Sequence, residues 1–307
     1  MSQVAVSLAG LRAIEALSAH GSISAAAVAL GYTPSAVSQQ ILRLERDLHQ
    51  SLVERGGRRA TLTPPGEILA LSARRIIIEL ESMNATLQAA AQTVTGTLTV
   101  AAFPSAARGV LPIAMSRLLA RWPQLELRLL EVSSHRAVDL VAGGGADLAL
   151  AHDWIGVTMD VPTDVQTRHL GDDVSDVLVS TAHPLASSSD VALQDFVNDP
   201  WLFEPGSVAH EFLLHAFREV PDRVSLGHMI SEYATQVEMV GAGLGVALAP
   251  RMGRGLLPNT VRAVAVRSPP LRRVFGVWRS SSQGRPAIAA ALAELERTCR
   301  PPADQPR

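Results

Sequence analysis

Apolar and polar positions recur along this chain with two different periods, and the change of period divides it. Over residues 1–65 the period is helical. Leu8, Leu11, Ile14 and Leu17 return every three or four residues and predict an amphipathic helix ending near Gly21. Ser22 stands where a cap is needed for a second helix over 23–30, packed with Ala25, Ala26, Ala27 and Ala29, whose small side chains let two helices approach closely. Gly31-Tyr32 makes a short turn. A third helix over 33–47 then starts with Thr33 as N-cap and Pro34 at the first helical position, where its missing N–H costs nothing. Val37, Ile41, Leu44 and Leu48 form its apolar stripe. The opposite, N-terminal face carries Ser35, Ser38, Gln39 and, a turn later, Arg43. A surface helix that is merely Ser/Gln-rich fits that face as well as a DNA-reading one. The flanking helix and tight turn favour a helix-turn-helix.

Beyond this helix Gly56-Gly57 suits a tight hairpin, with Arg58 and Arg59 at its tip and Arg55 just before it. Thr63-Pro64 repeats the cap-plus-proline start, and the helix it opens breaks only near 93–96. Leu69, Ala73, Ile76, Leu80, Met83, Leu87 and Ala90 alternate by four and three along it. That is a heptad seam, expected to pair with a second chain or, on the blander alternative, to pack on its own domain.

From residue 97 the pattern changes to short apolar runs separated by helical stretches. Strands are predicted over 97–103, 125–131 and 147–151, with a helix from Pro104-Ser105 through Leu119 and another over 135–142. Strand, helix, strand, helix, strand implies a parallel sheet with right-handed crossovers. Gly143-Gly144-Gly145 precedes a strand rather than opening a helix, so it is not a phosphate loop. A second unit begins at 174–180, with strands over 201–203, 224–229 and 246–249 and helices over 208–220 and 232–240. The return through 261–266 and 274–278 and a last helix over 286–299 complete the first unit, so two α/β lobes enclose a cleft.

Composition narrows the function without naming it. At 307 residues, 47% hydrophobic and 18% charged, the chain is long enough for two or three domains with real cores. The net charge is −2, so nucleic-acid contact must come from a local patch. Residues 1–65 are the candidate, since their six arginines outnumber their four acids. Lysine is absent throughout. Cys299 is the single cysteine, which excludes an intrachain disulfide. The N-terminus lacks a signal-peptide pattern and no apolar run approaches a membrane span, so a cytoplasmic location is expected.

Three groups of residues carry the resemblance to a known family: Gly21-Ser22-Ile23-Ser24-Ala25-Ala26-Ala27, then Ser35-Ala36-Val37-Ser38-Gln39-Gln40-Ile41 with Leu44-Glu45, then Leu62-Thr63-Pro64-Pro65-Gly66. Together they resemble the LysR-type transcriptional regulators. The resemblance implies an α/β protein with an N-terminal all-α winged helix-turn-helix, a dimerising linker helix and a two-lobed, periplasmic-binding-protein-like sensor domain. The boundaries expected are 1–65, 66–92 and 93–307, with lobe I at about 96–164 and 268–300 and lobe II at about 165–267. One departure stands out. The family's usual Leu-Phe before the wing arginine is Leu52-Val53-Glu54-Arg55 here, and Glu54 would weaken phosphate contact slightly.

The DNA-binding set is then Thr33, Pro34, Ser35, Ser38, Gln39 and Arg43, with phosphate contacts from Arg55, Arg58 and Arg59. The partners expected are double-stranded promoter DNA, a small-molecule effector such as an amino acid or other carboxylate, and a second copy of the chain, as a dimer or tetramer; no membrane, cofactor or metal is expected. In two-lobed α/β folds ligands sit beyond the C-terminal strand ends, at helix N-termini. That rule selects Ser105, His152, Asp153, Phe203, Glu204, Ser207 and Ser231. Ser105 either faces the ligand or only caps its own helix, and Glu204 would suit a ligand ammonium. A plain solute-binding protein and an α/β enzyme are the competing classes. The first ninety residues oppose the former, and the latter finds no Gly-x-Ser-x-Gly elbow and no clustered metal-ligand spacing among nine scattered histidines.

Overall fold

A computed structural model describes residues 6–54, 60–91 and 93–299. Three helices open the chain: α1 (Leu8–His20), α2 (Ile23–Leu30) and α3 (Pro34–Leu48). Each start is capped by a hydroxyl, Ser7 receiving the Gly10 N–H, Ser22 that of Ala25 and Thr33 that of Ala36. Ile14, Leu17, Val37, Ile41 and Leu44 meet under the small Ala26 and Ala27 and are buried together. At about 1.5–3 kcal/mol for each large side chain, this burial rather than helix propensity holds the unit.

Glu45 ties α3 to the first strand of the hairpin. Its Oε1 accepts the N–H groups of Leu52 and Val53 at 2.9 and 3.2 Å. There β1 (Val53–Glu54) pairs antiparallel with β2 (Thr61–Leu62), which is the base of the expected wing. The hairpin tip, with Gly56, Gly57 and the phosphate-contact candidates Arg55, Arg58 and Arg59, lies outside the described residues.

α4 (Pro64–Ala91) is the long linker helix, 28 residues and about 42 Å. Thr63 Oγ1 receives the Gly66 N–H at 3.2 Å. A Cβ on Gly66 would lie 2.1 Å from the Leu52 carbonyl oxygen, so only glycine lets this first turn rest on the strand. Along α4 the predicted seam divides. Ala73 is fully buried with Ala70 in the core shared with α1, and Leu69 packs half-buried against the same core. Ala73 and Leu69 belong to the chain's own interior, because the first turns of α4 lie on α1. Ile76, Met83 and Leu87 remain 45%, 50% and 61% exposed, with Ile68 and Leu71 also outside.

The remainder is a mixed sheet. Its strands are β3 (Gly96–Ala102), β4 (Leu125–Glu131), β5 (Leu148–Trp154), β6 (Val165–Ser180), β7 (Trp201–Phe203), β8 (Leu226–Met229), β9 (Val246–Pro250), β10 (Val261–Val264) and β11 (Leu271–Arg279). The order is β4-β3-β5-β11-β6-β9-β7-β8, with β10 beside β6. β3 runs parallel to both β4 and β5, as the strand–helix alternation predicts, whereas β11 is antiparallel to β5 and β6. β6 passes through both lobes: its first part pairs with β11 and its last with β9 and β10.

Six helices cover the two lobes: α5 (Pro104–Gly109), α6 (Leu111–Arg121), α7 (Ser134–Ala142), α8 (Val208–Ala216), α9 (Tyr233–Gly241) and α10 (Pro286–Cys299). The single helix expected from Pro104 through Leu119 is two, because the chain breaks at Val110 ahead of Pro112 and restarts. Leu98, Val100, Leu118 and Leu292 fill the first lobe, and Phe196, Trp201, Phe217 and Val246 the second. α4 also reaches the first lobe. Glu81 Oε2 accepts from Arg279 Nε at 2.8 Å and from Ser281 Oγ at 3.1 Å, and Arg74 pairs with Asp164. No single helix among the described residues is long and apolar enough to cross a membrane.

Candidate functional site

Two surfaces carry chemistry. The first is the outer face of α3. Burying Val37, Ile41 and Leu44 turns Ser35, Gln39 and Arg43 outward, one above the other at four-residue spacing, and all three are exposed. Ser38 is half-buried beside them. Thr33 and Pro34 are exposed, but the Thr33 hydroxyl is engaged, capping Ala36 at 3.2 Å and sharing a hydrogen bond with Ser35 Oγ at 3.0 Å. Thr33 and Pro34 therefore set where the helix starts. The sequence reading missed Arg46, which is exposed one turn beyond Leu42 and shares a shallow groove with Gln39, Gln40 and Arg43. Its three-residue spacing from Arg43 was the available signal.

The second surface is the cleft between the lobes, a cavity of 140 Å³. α5 and the N-terminus of α7 wall one side, with β5 and β11 beneath. The end of β7, the start of α8 and α9 supply the other side. Six of the seven predicted residues line it: Ser105, His152, Phe203, Glu204, Ser207 and Ser231. Asp153 does not. Neighbours on a strand face opposite ways, so with His152 in the cleft Asp153 turns to the other face, where its carboxylate pairs with Arg273 at 2.7 and 2.9 Å.

Sequence reasoning also missed the group that organises the floor. Arg272 is 2% exposed. Its Nε and Nη2 reach Asp173 Oδ2 at 3.0 and 2.8 Å, and the guanidinium lies 4.9 Å from the Phe103 ring. Nη2 also donates to Ser105 Oγ at 2.9 Å. The N-cap of α5 is Phe103, without a side-chain bond, so Ser105 does not cap its helix. The signal for Arg272 was a charged residue opening a strand whose residues 274–278 are apolar, a residue type buried only when paired.

His152 is buried beside Arg272 with its ring 4.5 Å from Phe103. Burial first, and the Arg272 charge second, hold its pKa well below the ordinary histidine value, so the imidazole is neutral. Its Nδ1 and the Ser134 Oγ are buried without a hydrogen-bond partner among the described residues. Glu204 is half-buried, and burial raises its pKa. At the mouth, Arg108 Nε donates to the Gly253 carbonyl at 2.6 Å, and its guanidinium sits 4.6 Å over Tyr233. Across the lobes His135 Nε2 stands 3.7 Å from Glu211 Oε1.

With a helix-turn-helix at its start and an interlobe cleft of mixed apolar and polar lining in the remainder, the architecture is that of a DNA-binding protein with a small-molecule domain. The bacterial regulatory helix-turn-helix profile of the lysR family matches residues 8–67, and the LysR substrate binding domain matches residues 91–300. The HTH-type transcriptional activator IlvY of Salmonella typhimurium is 30% identical over 237 residues, covering 76% of this chain and 79% of its own. Among solved structures, a cysteine mutant of OxyR from Corynebacterium glutamicum, with hydrogen peroxide bound, is 26% identical with a TM-score of 0.61, covering 95% of this chain and 92% of its own. Full-length CbnR in complex with its target DNA shares the fold at 18% identity and a TM-score of 0.57, covering 96% of this chain and 100% of its own. The chain belongs to the LysR family: it is a transcriptional regulator with a helix-turn-helix DNA-binding domain and an effector-binding domain.

Proposed function

We propose that the outer face of α3 reads promoter DNA and that the interlobe cleft holds the effector. The observation that carries the first half is the exposed ladder of Ser35, Gln39 and Arg43 on a helix whose other face is locked in the core. Gln39 can pair bidentately with adenine and Arg43 with guanine or phosphate. Arg55, Arg58 and Arg59 serve as backbone contacts in this reading.

A single short helix reads few bases, and two held at fixed spacing read two half-sites. The exposed face of α4, with Ile76, Met83 and Leu87 and the half-buried Leu80, supports self-association as a dimer at minimum. The reading is of a regulator rather than an enzyme, acting in the cytoplasm. Thiol-based peroxide sensing does not suit this chain, because its one cysteine, Cys299, is buried and its pKa is pushed up to about 12.

The test is a salt titration of wild type and Gln39→Ala on a native promoter fragment and a scrambled one. Gln39→Ala should lose about 1–3 kcal/mol at one base position and relax preference there, with the salt slope unchanged. An intact sequence preference removes Gln39 from base readout. For the cleft, Ser105→Trp should abolish the effector response in a reporter assay while DNA binding persists.

A further inference from the structure

We propose that the effector is a small zwitterion of the α-amino-acid class, its carboxylate held by Ser105 and Arg108 in the first lobe and its ammonium by Glu204 in the second. This rests on the reading of the cleft as the effector site and goes on to name the ligand's chemistry.

The polarity of the first lobe is set by Arg272. Its Nη2 occupies a lone pair of Ser105 Oγ, and Ser105 has no acceptor among the described residues. The Ser105 hydroxyl proton is therefore free for an acceptor in the cleft. Arg272 itself offers no net charge to a ligand, because it is spent on Asp173. His152 is neutral. The cation left for a carboxylate is Arg108, which like Ser105 stands on α5 and lines the cavity. The N-terminus of α7 enters the same side, and Ser134, 3% exposed and with its Oγ unpartnered among the described residues, lies on its first turn.

The second lobe presents the opposite charge. Glu204 lines the cavity half-buried, with neither an ion pair nor a side-chain hydrogen bond among the described residues. A carboxylate left there alone loses hydration without recompense, and a ligand ammonium would restore the balance. A dicarboxylate would set a second anion beside it. At 140 Å³ the cavity is well below the 300–1,000 Å³ typical of drug-sized sites, in keeping with a compact ligand. A molecule whose two ends carry opposite charges engages both lobes at once and so favours their closed arrangement.

The experiment screens the full chain by thermal shift against the twenty common L-amino acids. For each hit, affinity is then compared by calorimetry with the same molecule lacking its amine and the same molecule lacking its carboxylate. At least one amino acid should raise the melting temperature, with both truncated analogues binding at least tenfold more weakly. Glu204→Gln should weaken the amino acid at least tenfold and leave the deaminated analogue unchanged. An equally tight deaminated analogue, an unchanged affinity in Glu204→Gln, or a panel without a hit overturns the assignment. Ser105→Trp separates the two levels. A deaminated analogue that binds as tightly but is lost in Ser105→Trp leaves the cleft reading standing, whereas a hit that survives Ser105→Trp removes the cleft reading as well.

Discussion

Removing Arg272 while leaving Asp173 in place should be among the most destabilising single changes in the sensor domain. Arg272 is 2% and Asp173 7% exposed, so neither can turn to water. In Arg272→Met the apolar stem is roughly kept, and the Asp173 carboxylate retains, among the described residues, the hydrogen bond from the Met252 N–H at 3.0 Å and the charge of the part-exposed Arg251. An orphaned buried charge of this kind costs about 3–5 kcal/mol. The lost bond to Ser105 adds about 1 kcal/mol, a smaller effect. The double variant Arg272→Met with Asp173→Asn removes both charges, and the asparagine oxygen still accepts from Met252. It should recover most of the loss, so the two changes are strongly non-additive. The assay is urea unfolding followed by tryptophan fluorescence. All four tryptophans (Trp122, Trp154, Trp201 and Trp278) belong to the sensor domain, so the signal reports that domain alone. A cost below about 1 kcal/mol for Arg272→Met, or a double variant no more stable than the single one, would refute the argument that charge compensation dominates here.

Four further changes test other links. Glu15, half-buried on α1, has its pKa raised chiefly by burial, which outweighs the Arg74 charge; the folded form binds its proton more tightly, so the stability it provides is full in acid and lost as pH rises through the folded value. Glu15→Gln should therefore melt higher than wild type at neutral pH, with the gap closing below the ordinary carboxylate range, and a lower melting point at pH 7 contradicts this. A Cβ at Gly253 (φ +68°) would lie 2.2 Å from the Ser105 carbonyl oxygen, whereas Gly255 (φ +72°) has open space, so Gly253→Ala should cost clearly more than the roughly 1 kcal/mol expected of Gly255→Ala; equal losses in denaturant midpoint remove the close approach from the account. Glu at both Ile76 and Leu80 should give monomers with weak DNA binding, and an unchanged sedimentation pattern moves the dimer interface off α4. Glu81→Gln should leave effector affinity intact and diminish the effector-induced change in the DNA footprint, since Arg279 grips α4 from the strand whose other end carries Arg272; an undiminished change excludes this contact from the coupling.

The DNA-binding unit is legible in the sequence because its determinants are local. Ser22, Thr33 and Pro34 fix where helices begin within a residue or two of themselves, and the Val37, Ile41, Leu44 stripe decides which way Gln39 faces. α4 is less legible. Apolar side chains occur on most of its circumference, since Ile68, Leu71, Ala73, Ile77 and Ile78 fall at widely separated angles around the axis. A heptad threaded through them joins residues that meet different neighbours. Ala73 meets α1, a contact made across more than fifty residues of chain, while Ile76 stays 45% exposed, with nothing among the described residues that covers it.

The cleft divides along the same line between local and distant. A rule about strand ends and helix starts finds Ser105, Phe203, Glu204 and Ser207, because each sits where its own strand stops. The rule selected His152 and Asp153 together, although alternation along a strand forbids adjacent residues from sharing a face, and Asp153 is the one that points away. Arg272 lies beyond any such rule. Its role depends on Asp173, on the neighbouring strand 99 residues earlier, and on Ser105, 167 residues earlier. A seven-residue separation on one strand, about 23 Å, then carries the chain from this arginine in the cleft floor to Arg279 against the linker helix. The spacing of two arginines on one strand is visible in the sequence. That one lies buried beneath a ligand site and the other holds Glu81 is decided only by the sheet order, which sets β11 between β5 and β6 and aims its two ends at different parts of the molecule.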